Sequence, residues 1–259
     1  MVLVSIFAVL LGGTFVRPTR ADPLVPDVGH GTVKLESKTI TSDRVFSGSF
    51  GTATAPSKTR IVEHRLEFTG VRGLGGPWAV EFDLRAAQES RTHRFKTTSG
   101  DAFQEQQLTV VRRQSGSRTF ADGVGLDFVV IPGAAATAGA HYALEPQYQL
   151  ATRRAEGTFA RLTVGPRFFL GGHGTQLRLT GAVGTRLLPA LSGEVKLSSY
   201  NVLGPKVSGY LVEDNLLRGG FFLKAARGRL RPELGYERDF AGQRQHAQQR
   251  IDFAMSAAF

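Results

Sequence analysis

The six histidines, His30, His64, His93, His141, His173 and His246, are the first place to look for acid–base or nucleophilic chemistry. A hydrolytic site on a β-strand needs its Ser and His on one face, hence two residues apart. No histidine here has a serine at that distance. His64 has Glu63 and Glu67 nearby, but strand alternation sends it to the opposite face from both. His141 and Glu145 share a face without a nucleophile beside them. Paired acids of the kind that activate water are limited to Glu213-Asp214 and Asp239, in or near connecting segments where carboxylates are ordinarily solvated. No HxxxH pair or carboxylate-rich loop has metal-ligand spacing, and the absence of cysteine removes thiolate chemistry and disulfides. Neither a metal nor a cofactor is expected, and catalysis is the lesser expectation.

The charged residues that remain are spaced for a wall. Arg161 and Arg167 share one face of a strand-like segment and Arg178 and Arg186 one face of the next, with Arg85 and Lys224 on others. Guanidinium groups so arranged bind carboxylates or phosphates. These six residues are the candidate anion path, within an inward set that also holds Glu81, Asp83, Glu145, Glu194, Lys196, Arg231, Glu233 and Glu237. Two readings stay open: an anion-selective pore, and a closed interior in which these cations pair with the acids.

The segments that position them are strands. In Pro77 to Ala86 the residues Trp78, Val80, Phe82, Leu84 and Ala86 alternate with Ala79, Glu81, Asp83 and Arg85. A period of two forms one face of a strand, whereas on a helix it would scatter around the circumference. The same alternation runs through 124–130, 142–150, 160–170, 177–187 and 251–259. It is weaker in 32–50, 60–70, 108–113, 191–199, 206–212, 220–226 and 230–240, and weakest in 90–107. Gly and Pro breaks separate these runs at 72–77, 171–174, 203–205 and 227–228.

Alternation on this scale produces a near-neutral mean hydropathy of −0.11. No later segment is long and apolar enough for a membrane-spanning helix; 128–140 is interrupted by Pro132, Gly133 and Gly139. A chain that alternates can still cross a bilayer as a closed barrel, since closure satisfies every backbone polar group. With strands of about 9–11 residues, the spacing gives between ten and fourteen strands, and twelve is the expected number because such barrels have even counts. The fold class is therefore all-β, an antiparallel up-and-down transmembrane barrel.

The apolar run Val2 to Leu11, followed by Thr19-Arg20-Ala21, has the proportions of an export signal, so residues 1–21 are read as a signal peptide and 22–259 as the barrel domain. Removing Arg17 and Arg20 lowers the formal charge from +10 to +8. The basic residues are scattered, without the clustered Lys/Arg and stacking aromatics of a nucleic-acid surface, so no nucleic acid is expected. Small anionic solutes and the phosphates of lipopolysaccharide are the partners such charge would attract.

The last nine residues, Ile251-Asp-Phe-Ala-Met-Ser-Ala-Ala-Phe259, resemble the closing strand of bacterial outer-membrane β-barrels, which ends on an aromatic residue. Arg227-Gly-Arg-Leu-Arg-Pro-Glu-Leu-Gly-Tyr-Glu-Arg-Asp-Phe240 is similar to a late strand of autotransporter translocator barrels, although only one strand follows it. The resemblance implies residence in the outer membrane, recognition of the strand ending in Phe259 by the insertion machinery, and a periplasmic C-terminus. The last strand then descends, placing 241–249, 212–219 and 151–157 outside and the Gly-rich breaks at periplasmic turns. Trp78, Tyr142, Phe168, Phe221, Phe222, Tyr236 and Phe259 are expected in the interface girdles. Three functions remain open: a small passive channel with anion preference, a non-transporting envelope barrel with a structural or lipid-directed role, and a secreted soluble β-barrel or sandwich with its apolar faces turned inward.

Overall fold

The computed structural model describes residues 25–46, 52–54, 59–93, 96–117, 119–131, 141–153, 157–170, 174–203, 215–225, 230–242 and 246–259. They form fourteen strands and no helix: β1 (Gly31–Phe46), β2 (Thr52–Thr54), β3 (Arg60–Gly75), β4 (Trp78–His93), β5 (Lys96–Phe103), β6 (Gln106–Gly116), β7 (Phe120–Ile131), β8 (His141–Arg153), β9 (Phe159–Phe169), β10 (Thr175–Leu188), β11 (Leu191–Leu203), β12 (Leu216–Ala225), β13 (Leu230–Ala241) and β14 (His246–Ala258). All strand pairings are antiparallel; from β6 to β14 each strand pairs with its sequence neighbour, β6 pairs with β4, β4 with β3 and β3 with β1, and β14 returns to pair with β1, from Thr32 opposite Ala258 to Val45 opposite His246. Backbone hydrogen bonds between Gly31 and Phe259, 3.1 Å in both directions, finish the seam.

The wall has twelve positions. β5 and β6 share one, both pairing with β4 above and below the break at Gln104-Glu105, and β2 is a short extension paired to the far end of β1. The expected count of twelve and the up-and-down topology are both present. Residues 1–21, where a signal peptide was expected, lie outside the described residues, as does 206–212, where a further strand was expected.

That expected strand misplaced three connections. β11 and β12 pair directly, Ser199 opposite Leu217, so Leu203 and Leu216 stand at the same end. With no strand in the wall between them the ends shift: Arg153 and Phe159, which flank the connection around 151–157, lie at the end carrying Gly31 and Phe259. Phe169 with Thr175, and Leu203 with Leu216, lie at the opposite end, which is not the end expected for the breaks they flank. The break at 72–77, and the strand ends Ala225 with Leu230 and Ala241 with His246, sit at the ends expected.

The two faces of the sheet are inverted relative to a soluble protein. Leu35, Leu66, Leu126, Phe128, Val195, Leu197, Leu234, Ile251 and Phe253 are exposed on the outer face. Glu36, Glu67, Asp127, Glu145, Arg167, Arg218, Glu237, Asp239 and Asp252 are buried inside. A soluble barrel would place these sets the other way round, because apolar area left in water forfeits about 25 cal/mol per Å2. Trp78 and Phe253 are exposed as a membrane barrel requires; Phe82, on the same outer face, is covered because it packs over Gly70 and against the Phe68 ring, 5.2 Å between centroids. Of the residues expected in the girdles, Trp78, Tyr142, Phe168, Phe221 and Tyr236 face outward, with Phe221 and Tyr236 paired in the middle of β12 and β13, but Phe222 points into the barrel and is buried. Adjacent residues on one strand cannot share a face.

Candidate functional site

The inner wall carries a continuous chain of ion pairs. Arg178 meets Glu145 at 2.9 Å, and Glu145 also accepts from Arg167 Nε at 2.6 Å. Arg167 Nη1 reaches Glu105 at 2.6 Å, and Arg85 joins Glu105 at 3.7 Å and Glu67 at 3.8 Å while pairing with Asp83 on its own strand. Lys38 links Glu67, at 2.6 Å, to Glu36, at 3.6 Å. Lys34 bridges Glu36 and Glu233 at 3.1 and 2.8 Å, Lys224 bridges Glu233 and Glu194 at 3.3 and 2.8 Å, and Arg161 closes on Glu194 at 3.4 Å. The chain begins at β8–β10 and returns to β9, so it travels around the whole wall.

Small inward residues make the longer links possible. Lys34 on β1 and Glu233 on β13 meet across β14, whose inward positions there are Ala254 and Ser256. Arg161 on β9 reaches Glu194 on β11 over Ala182 and Gly184 of β10. Arg178 crosses to Glu145 past Gly165, whose absent Cβ would stand 2.4 Å from the Pro146 carbonyl oxygen. Strand alternation places a long side chain on the inner face; a small residue on the next strand lets it reach beyond its immediate neighbour.

The six candidate cations therefore do not form one wall. Arg167, 2 % exposed, is clamped between Glu145 and Glu105, and Arg85 and Arg178 share that cluster. Arg161 and Lys224 meet at Glu194 on another part of the circumference. Arg186 is exposed at the terminal end of β10, its side chain beside Gly157. Sequence reading missed Glu105, the acid that ties the first three together, because it stands in the break between β5 and β6. Lys34, Lys38, Arg65, Glu36, Glu67, Asp127, Arg218, Arg250 and Asp252 are also inward; the alternation of β1, β3, β7, β12 and β14 was the signal that could have found them.

The clusters differ in what they show to lumen water. In the Arg85–Glu105–Arg178 group both signs are exposed alike, 22, 19 and 19 %. Elsewhere the cations stand above their acids: Arg161 at 57 % over Glu194 at 6 %, Lys196 at 36 % over Glu237 at 5 %, and Lys34 at 27 % over Glu36 at 7 %. Long flexible side chains carry the positive charge toward solvent while the shorter acids stay near the wall.

His64 is exposed on the outer face, away from Glu63 and Glu67, and its Nδ1 stands 3.3 Å from Thr39 Oγ1. Glu145 Oε2 accepts from Arg167 and Arg178, Asp239 accepts from Arg218 Nε at 2.7 Å, and Glu213 and Asp214 lie outside the described residues. No group of three or more His, Asp or Glu suited to a metal occurs among the described residues.

A closed antiparallel barrel with an apolar outer belt and a charged interior is the build of an outer-membrane β-barrel. No family model matches the chain, and no curated protein matches it in sequence. Among solved structures it is similar to an outer membrane channel from Pseudomonas putida F1, with a TM-score of 0.64 over 95 % of this chain and 100 % of that one at 12 % identity. It is also similar to the NanC porin, TM-score 0.54, 14 % identity, covering 87 and 98 % of the two chains. The β domain of the Bordetella autotransporter BrkA follows, TM-score 0.51, 13 % identity, covering 89 and 99 %. At these identities the likeness shows the fold.

Proposed function

We propose that this barrel is a small passive channel of the outer membrane that prefers anions. The observation that carries the reading is the stacking of charge on the inner wall: Arg161, Lys196, Lys34 and Lys224 face lumen water while Glu194, Glu237, Glu36 and Glu233 lie beneath them. A mobile ion in the lumen meets the cations first, and a low-dielectric wall focuses their field. The fold it shares with an outer membrane channel and a porin supports the same reading. Arg167, Arg178 and Arg85 hold the wall together, and Arg161 and Lys224, with Arg186 at the mouth, are the residues of the ion path.

The test is selectivity of the combined variant Arg161→Gln, Lys196→Gln and Lys224→Gln in planar bilayers. Anion preference falls or inverts in this variant, while Arg167→Lys, which leaves the exposed cations in place, keeps it. An unchanged permeability ratio in the triple variant would show that these residues do not set selectivity.

A further inference from the structure

At the end of the barrel opposite Gly31 and Phe259, a groove crosses β13, β14, β1 and β3; its outward-facing lining is Arg44, Arg60 and Arg238 with Thr41, Ala247 and Gln249, and the inward Ser42, Asp239 and Gln248 also border it. Arg60 and Arg238 occupy outward positions of β3 and β13 by simple alternation. Arg44 does not: inward residues of β1 are even-numbered up to Ser42. A bulge between Thr41 and Arg44 then places Arg44 opposite Ala247, on the outer face. Bulges re-aim side chains in this way. None of the three guanidinium groups has an ion-pair partner among the described residues. Of the two acids that line the groove, Asp239 is committed to Arg218 and to the backbone N–H of Gln248, which leaves Asp43 as the one acid to set against three cations.

The groove borders the apolar belt. On β13, Arg238 lies between the exposed Tyr236 and Phe240, and on β14 the outward residues below Gln249 are Ile251, Phe253 and Met255. Aromatic residues flank the apolar band where headgroups begin, so the three arginines stand at headgroup height on a lipid-facing surface. Guanidinium groups bind phosphate oxygens bidentately.

We propose that Arg44, Arg60 and Arg238 form a binding site for the phosphorylated headgroup of an outer-leaflet lipid, with the acyl chains lying along the belt over Ile251 and Phe253. The site is independent of the lumen and of whether the barrel conducts.

Intact-mass measurement of lipid adducts on the detergent-folded barrel tests it, with bisphosphorylated lipid A, its dephosphorylated form and inorganic phosphate as the probes. Wild type retains bisphosphorylated lipid A, and Arg112→Gln, an outer-face arginine over the Trp78 ring at the opposite end, retains it equally. The double variant Arg60→Gln, Arg238→Gln binds it about tenfold more weakly. Dephosphorylated lipid on wild type is retained as poorly as the double variant retains the phosphorylated form, a comparison that does not depend on the variant folding. Equal retention of the two lipids by wild type, or equal binding by wild type and the double variant, would overturn the proposal. Inorganic phosphate displacing lipid A at comparable concentration would reassign the groove to a free anion and overturn it as a lipid site.

Discussion

Replacing Arg167 by Met tests the ion-pair chain where it is most buried. Arg167 is 2 % exposed and donates at 2.6 Å to both Glu145 and Glu105. Removing one partner of a buried pair costs about 3–5 kcal/mol, chiefly because the opposite charge is left unpaired. Here the loss is moderated: Glu145 keeps Arg178 at 2.9 Å, and Glu105 keeps Arg85 at 3.7 Å and Arg178 at 4.0 Å. The expected destabilisation is therefore about 3 kcal/mol, at the low end of that range. Adding Glu105→Gln removes the more poorly paired acid and should restore about 1–2 kcal/mol, within the coupling seen for residues in one network. Urea unfolding in lipid vesicles, followed by fluorescence of the single tryptophan, Trp78, on the lipid-facing surface, measures both. A loss below about 1 kcal/mol for Arg167→Met, or additive effects in the double variant, would refute the network as the structure draws it.

Other substitutions probe the outer face and the packing inside. Phe253→Arg puts a charge on the exposed outer face of β14 and should cost about 2–4 kcal/mol if that position lies near the bilayer midplane; a neutral result in vesicle unfolding would mean that this face does not meet lipid. Gly235→Ala sets a Cβ 2.3 Å from the Phe222 ring and should cost about 1–3 kcal/mol through overpacking. Phe222→Leu should recover part of that loss, and strictly additive stabilities would contradict the contact.

Fold and site were not equally legible. Alternation of Pro77 to Ala86 and of Ile251 to Phe259 is a local property, so these strands could be read directly, whereas spacing alone bounded the count at ten to fourteen and the even-count rule chose twelve. The parity error arose where a wall strand was expected at 206–212, although β11 and β12 pair directly, and it put the connections around 151–157, 171–174 and 203–205 at the wrong ends. Partner choice on the inner wall was hidden for a different reason. Arg161 finds Glu194 because Ala182 and Gly184 stand low on the strand between them, and Arg167 finds Glu105 because a strand breaks there. These are relations among three strands, and periodicity along one strand carries no record of them. The outward turn of Arg44 was equally invisible, because it depends on the register of β1 against β14.

The channel reading is tested most directly by the reversal potential of the folded wild-type barrel in a planar bilayer under a salt gradient. Stable conductance steps with a reversal potential on the anion side are the expected result. Folded, heat-modifiable protein that carries no current, or a reversal potential on the cation side, would contradict the account.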